Sequence, residues 1–344
     1  MIILTNCLSE IVDEGCLKVA NSLIKRIKTE VKETTIITYD RKTELSDMHL
    51  PINKFMFNMD LAAFVLKKKE PVLYVPFTSK MMPMAIRSLV LSLFCRKGLT
   101  VIRSIQSPMG RCSEIMMKIS GVKLITLSHS AWEYYSGILG GRVSYLKAGV
   151  DTTRFIPVNQ SEKERLRKKY GLPKNKVIVL HVGHLNTGRN VGQLMKLDDR
   201  FHAVLVISTL TAHAKDENLR KQLLQKENIT LIEHYLPDIQ EMYQLSDVYL
   251  FPVLDYGRCI DSPLSAMEAA ACNLPVVTTP FGELKELIGC DGFYEIESFA
   301  PDQLNAQLFR AFQEGKQPRE SVLEYDWNVS VKQLLRWIGS KNTQ

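Results

Sequence analysis

The chain has 344 residues, 45 % of them hydrophobic, with 44 Lys and Arg against 37 Asp and Glu. That balance excludes a disordered or fibrous chain, and the length suits two domains of about 150 residues each. No apolar run reaches the ~18 residues that span a bilayer; the seven cysteines include no CxxC pair, which argues against a zinc site or disulfide framework and predicts reduced thiols in the cytoplasm.

The opening Met1-Ile-Ile-Leu-Thr-Asn-Cys7 lacks the basic region that precedes a signal core and reads as a first strand. Short, partly β-branched runs at Ile2–Leu4, Thr35–Thr38, Val72–Pro76, Thr100–Ile105 and Leu124–Leu127 predict buried parallel strands. Helical patterns separate them, the clearest being Glu14–Ile27, and the alternation predicts an α/β, doubly wound sheet. The turn before that helix ends in Glu14-Gly15, a lone glycine that serves either the turn or the approach of a ligand. Residues 51–150 carry 14 basic side chains against 4 acidic ones. An anionic partner is expected from that excess, a membrane surface rather than nucleic acid, since no nucleic-acid module is present. Within the region, Lys80–Lys97 is a Met-rich helix with basic ends, either packed on the sheet or lying in an interface. Gln106 and His129 follow the last two strands of this half, where each faces the ligand side or serves as a loop or capping residue.

Asn159–Lys176 is polar and reads as a solvated helix and loop before a second strand series opens at Val177–Gly183. Further strands are expected at Ala203–Ile207, Ile229–Glu233, Val248–Val253 and Val276–Thr279, with helices at Asp216–Lys226, Asp238–Gln244, Ser262–Cys272 and Glu283–Ile288. His181 and His184, three apart on an extended strand, point to opposite faces and make no zinc pair. The stretch Asp255–Gly282 leaves a strand and enters a helix, which is where open α/β sheets bind ligands and where free backbone N–H groups suit an anion. Ser262 and Pro263 read as its N-cap and first helical residue. Glu268 is either a surface residue on an alanine-rich helix or a carboxylate reaching a sugar hydroxyl.

Glu268-Ala-Ala-Ala-Cys-Asn-Leu-Pro-Val-Val resembles the donor-binding motif of GT-B glycosyltransferases, specifically the large retaining family 4. There, a Glu, seven residues and a second Glu precede Ala-x-Ala-x-Gly-x-Pro-Val. The first Glu falls on Ile260, and Asp261, one place along, is the acidic candidate. Gly141 to Pro157 resembles the family's Asn-Gly-Val-Asp-x-x-x-Phe-x-Pro hinge, with Ala148 in place of Asn and Phe155 as its anchor. The run from Gly183 to Arg189 resembles Gly-Arg-Leu-x-x-x-Lys-Gly, which puts His184 and Arg189 at the diphosphate-holding positions. His234–Asp247 resembles the base-contacting segment around Leu236, and Tyr325–Trp337 the final helix.

The resemblance implies a GT-B fold: two Rossmann-like doubly wound domains facing across a cleft, with a C-terminal helix crossing back to the N-terminal domain. Residues 1–157 with 325–344 would form the acceptor-side domain, and 158–324 the nucleotide-sugar domain. It implies retaining transfer of a sugar from a nucleotide-diphosphate donor to an acceptor hydroxyl, with no metal or other cofactor. Gly15, Gly183, His184, Arg189, Leu236, Leu264, Ser265 and Glu268 are then the substrate-binding candidates, and Asp261 and Gln106 the catalytic ones; Gln106 stands where the family often has His. The implied partners are the donor, a glycan or lipid-linked acceptor, and an anionic membrane at its inner face, without nucleic acid. Ile260, Gln106 and His184 depart from the pattern and keep another reading open, a non-catalytic GT-B subunit of a glycosylation complex; a nucleotide-sugar epimerase is the third.

Overall fold

The computed structural model describes residues 1–12, 14–40, 42–52, 58–76, 78, 80–208, 216–255 and 259–339. The chain forms two compact units, one of Met1–Ala148, Cys259–Ser262 and Trp327–Gln344, the other of Gly149–Arg258 and Pro263–Asp326. The sequence puts the joins a little later on the first pass, at 157, and close by on the second, at 325.

In chain order the first unit is β1 Ile2–Thr5, α1 Gly15–Glu30, β2 Thr35–Thr38, β3 Met48–His49, α2 Met59–Lys68, β4 Val72–Val75, α3 Met81–Ser92, β5 Leu99–Arg103, α4 Arg111–Ser120, β6 Lys123–Thr126, α5 His129–Leu139 and β7 Val143–Tyr145. Its strands pair in parallel in the order β3-β2-β1-β4-β5-β6-β7. A parallel sheet is covered on both faces, so its strands are apolar throughout rather than alternating, as Ile2, Ile3 and Leu4 show. The helix read as Lys80–Lys97 runs from Met81 to Ser92 and turns Met81, Met84, Ala85, Ser88 and Leu91 inward. Its apolar stripe therefore belongs to the core, which decides the sequence's two readings of that stripe in favour of packing.

The second unit runs α6 Gln160–Lys169, β8 Val177–Gly183, β9 Phe201–Ile207, α7 Glu217–Leu224, β10 Ile229–Ile232, α8 Gln240–Leu245, β11 Val248–Phe251, α9 Leu264–Ala271, β12 Val276–Thr278, α10 Leu284–Leu287, β13 Phe293–Glu295 and α11 Pro301–Glu314. Its parallel sheet has the order β10-β9-β8-β11-β12-β13. Phe155 is buried and meets Tyr243 edge-on at 5.6 Å, which seats the segment after Gly149 on this unit. Arg319 fixes the same region, its guanidinium donating to the Thr152, Phe155 and Ala271 carbonyls. The Ala271 contact satisfies a carbonyl that the end of α9 would otherwise leave unpaired.

The final helix, α12 Trp327–Gly339, returns to the first unit and packs on α1, with Arg26 Nε donating to Asn328 Oδ1 at 3.2 Å and Lys123 lying over the Trp337 ring. Among the described residues no helix is long and apolar enough to cross a membrane.

Candidate functional site

In the second sheet, the strand order reverses between β8 and β11: the chain proceeds outward through β9 and β10 on one side and through β12 and β13 on the other. Loops leaving the carboxyl ends of β8 and β11 diverge there, which opens a crevice for a ligand. Gly183 ends β8, His184 and Arg189 lie in the loop beyond it, and Leu264, Ser265 and Glu268 begin α9 after β11. Leu236 follows β10, half-buried beside the exposed Tyr235. Residues 256–258, in the loop that leaves β11, lie outside the described residues.

Arg189 closes a short 3-10 turn, Thr187–Arg189, and its backbone N–H donates to Asn186. The residue is only 8 % exposed. Its Nε has no hydrogen-bond partner and no carboxylate pairs with its guanidinium among the described residues. Holding a cation out of water is costly until an anion compensates it. A phosphate is the complement that a planar guanidinium fork fits best.

Glu268 is 4 % exposed, which excludes the surface reading of this residue. The Tyr243 hydroxyl donates to its Oε2 at 2.7 Å. Burial, with the Glu268 charge adding to it, pushes the Tyr243 phenol well up, so this proton stays on tyrosine. The N-terminus of α9 corrects the sequence in one respect. Ser262 does not cap it: the hydroxyl donates to the Ala148 carbonyl, and Pro263 takes the cap position without a side-chain bond. Ser265, half-buried in the first turn, faces the Tyr249 hydroxyl of β11.

The first unit holds the other candidates. Asp261 lies against the loop that leaves β5, its N–H donating to the Ser104 carbonyl at 2.9 Å. Its side chain is 1 % exposed in total and both carboxylate oxygens lack a hydrogen-bond partner of good geometry among the described residues. Burial raises its pKa to about 7, although the Gln106 backbone and the Arg103 charge both favour the ionised form. Arg103 itself donates to the Thr78 carbonyl and to Ser107 Oγ, so it is part of the loop's framework. Gln106 is half-buried in the same loop.

Gly15, the first residue of α1, has a packing reason for lacking a side chain. A Cβ there would lie 2.9 Å from Ile260 Cδ1, so Ile260 fills the space that the missing side chain leaves. His129 opens α5 after its cap Ser128, with its ring 5.1 Å from Trp132 and 3.6 Å from the Glu133 carboxylate. A cavity of about 280 Å³ in the second unit is lined by Ser246, Asp247, Leu274 and Pro275 among others. Those residues precede β11 and β12, at the opposite end of the strands from Arg189, although Tyr243, whose hydroxyl donates to Glu268, also lines the cavity. Sequence reasoning passed over Tyr243 and Arg103; a lone arginine ending an apolar strand run was the available signal for the latter.

The family model of glycosyl transferases group 1 matches residues 176–314. Residues 176–314 belong to the glycosyl transferases group 1. The chain is 26 % identical over 170 residues to TuaC of Bacillus subtilis, named for teichuronic acid biosynthesis, covering 48 % of this chain and 40 % of that protein. It is 23 % identical over 208 residues to an alpha-galactosylglucosyldiacylglycerol synthase of Streptococcus pneumoniae, covering 58 % of this chain and 50 % of that protein. The matches thus span half or less of the length of these relatives. Among solved structures, Anabaena HepE in complex with UDP and glucose superposes with a TM-score of 0.71 at 14 % identity, over 99 % of both chains. WaaG, a glycosyltransferase of lipopolysaccharide biosynthesis, gives 0.67 at 15 % identity, over 99 % of this chain and 100 % of that one. These likenesses, with the two parallel sheets, show a GT-B-like fold.

Proposed function

We propose that the chain transfers a sugar from a nucleotide-diphosphate donor to an acceptor hydroxyl, with retention and without a metal. One observation carries this reading above the others: a buried arginine, Arg189, without a counter-ion among the described residues, at the switch point of the second sheet. The departing diphosphate gains negative charge as the glycosidic bond breaks. Arg189 and the backbone N–H groups of Leu264 and Ser265 at the start of α9 would stabilise that charge more in the transition state than before it. His184 adds to this when protonated, and Gly183 leaves room for the phosphates. Glu268 takes the nucleotide ribose, oriented by Tyr243, and the Leu236 backbone takes the base. On the acceptor side, Asp261, with a pKa near the working pH, is suited to exchanging a proton with the acceptor hydroxyl, and Gln106 to orienting it; Gly15 lies beside them.

The acceptor class is a glycan or lipid-linked sugar, met at an anionic membrane surface on the cytoplasmic side. Supporting that partner, Leu93 is 78 % and Ile119 is 70 % exposed, and the exposed Arg96, Lys97 and Lys118 are close to them in sequence. A non-catalytic GT-B subunit is the second reading, favoured by the apolar Ile260 seated on Gly15 where the family pattern has an acid. Turnover separates the two. The HepE neighbour holds UDP, so UDP-sugars come first, with GDP- and ADP-sugars beside them. The enzyme reading expects donor cleavage that rises with acceptor and falls at least tenfold in Asp261→Asn, with the protein still folded. Nucleotide binding without cleavage of any donor would establish the subunit instead.

A further inference from the structure

A histidine buried beside the proposed diphosphate site has no role in the reading above. His181 is 0 % exposed in β8. Its Nδ1 lies 2.9 Å from the Leu250 carbonyl of β11. A carbonyl can only accept, so the proton sits on Nδ1 and Nε2 carries a lone pair. Burial, with the Arg189 charge adding to it, lowers the ring's pKa to about 4, so it is neutral at physiological pH. Nε2 has no hydrogen-bond partner among the described residues.

Gly183 shows what that lone pair faces. A Cβ built on Gly183 would lie 3.2 Å from His181 Nε2 and 3.3 Å from Arg189 Nη1. The acceptor and the guanidinium therefore converge on one point above the glycine. Each has an unfilled need: the imidazole nitrogen a donor, the arginine an acceptor or an anion.

Resting on the donor reading above, we propose that His181 is the positioning residue for Arg189: its Nε2 accepts an Arg189 N–H across Gly183 and turns the remaining guanidinium donors onto the donor diphosphate. A neutral acceptor suits this task better than a carboxylate. It fixes the plane of the guanidinium while leaving its full charge to the phosphates, whereas Asp or Glu would neutralise it. Gly183 is then required for a second reason besides the room it leaves for the phosphates, since a methyl group there would press on both partners.

The test is a double-mutant cycle on the full chain, read by calorimetry with UDP, GDP and ADP against the corresponding nucleosides. His181→Phe should weaken the diphosphate that binds about tenfold, the scale of one hydrogen bond to a charged group, and leave the nucleoside unchanged. In an Arg189→Ala background the same substitution should have no further effect, because the histidine acts only through the arginine. Equal losses in both backgrounds would overturn the proposal, as would equal losses for nucleoside and diphosphate. If His181→Phe does not fold, ¹⁵N NMR of the histidine-labelled native chain decides. Nε2 should be unprotonated in the free protein and shift as it accepts a hydrogen bond on addition of the diphosphate; an unmoved resonance would contradict the assignment. Absence of binding by the native chain to all three diphosphates would strike the donor reading itself and this inference with it.

Discussion

Burying Asp261 makes stability depend on pH, and the sign follows from the direction of its shift. The folded pKa, about 7, lies above the 3.8 of a free aspartate, so the native state holds the proton more tightly than the unfolded chain. Its stabilising protonated form is therefore complete below pH 4, is lost as pH rises toward 7, and stays lost above. Asp261→Asn should raise stability at pH 8 by up to about 4 kcal/mol and have much less effect at pH 4. Urea melts at the two pH values check this, and an equal destabilisation at both would mean the carboxylate is paired in solution. The same substitution should lower turnover, since the cost of burial is kept only where the group works. Arg189 and Glu268 were legible as candidates because they sit at motif positions where a strand ends or a helix begins. His181 was not, because its carbonyl partner on β11 is 69 residues away and spacing cannot reveal it.

α6 is tied to the second sheet by one carboxylate. Asp247, just before β11, accepts from Arg167 at 2.5 Å, from Lys163 at 2.7 Å and from the Ile178 N–H of β8 at 2.7 Å. Asp247→Ala leaves the buried Arg167 charge without compensation and should cost about 3–5 kcal/mol, read as a loss in the denaturation midpoint. A change under about 1 kcal/mol would mean that water replaces the carboxylate. Most elements could be placed from the sequence, β2 to the residue, because a strand covered on both faces is an uninterrupted β-branched run. The strands that escaped it are β3, β7 and β13, of two or three residues each. All three are sheet edges, where one side lacks a neighbour and burial is partial, so the apolar signal fades. The Ser262 cap misreads for a related reason: a hydroxyl has more than one partner to choose from, and here the Ala148 carbonyl takes it.

Over the whole molecule, charge separates sharply. Residues 51–150 hold 14 basic and 4 acidic side chains, whereas the chain as a whole is only +7. That asymmetry says nothing about fold but does shape association with anionic surfaces. Because α3 turns its apolar stripe into the core, docking to a membrane should be electrostatic and depend on salt. Co-sedimentation with anionic vesicles should be strong at 0.1 M salt and vanish at 1 M, as the Debye length falls from ~10 Å to ~3 Å. Equal binding to neutral vesicles would remove the membrane from the account, and binding that survives 1 M salt would point to apolar insertion of Leu93 and Ile119 instead. The account of the molecule rests most heavily on Arg189 as the holder of a donor diphosphate. Calorimetry of Arg189→Ala with a nucleoside diphosphate and its nucleoside measures that directly. The expected result is a loss of about 1.5–3 kcal/mol for the diphosphate with the nucleoside unchanged; equal losses for the two, or none for either, would contradict it.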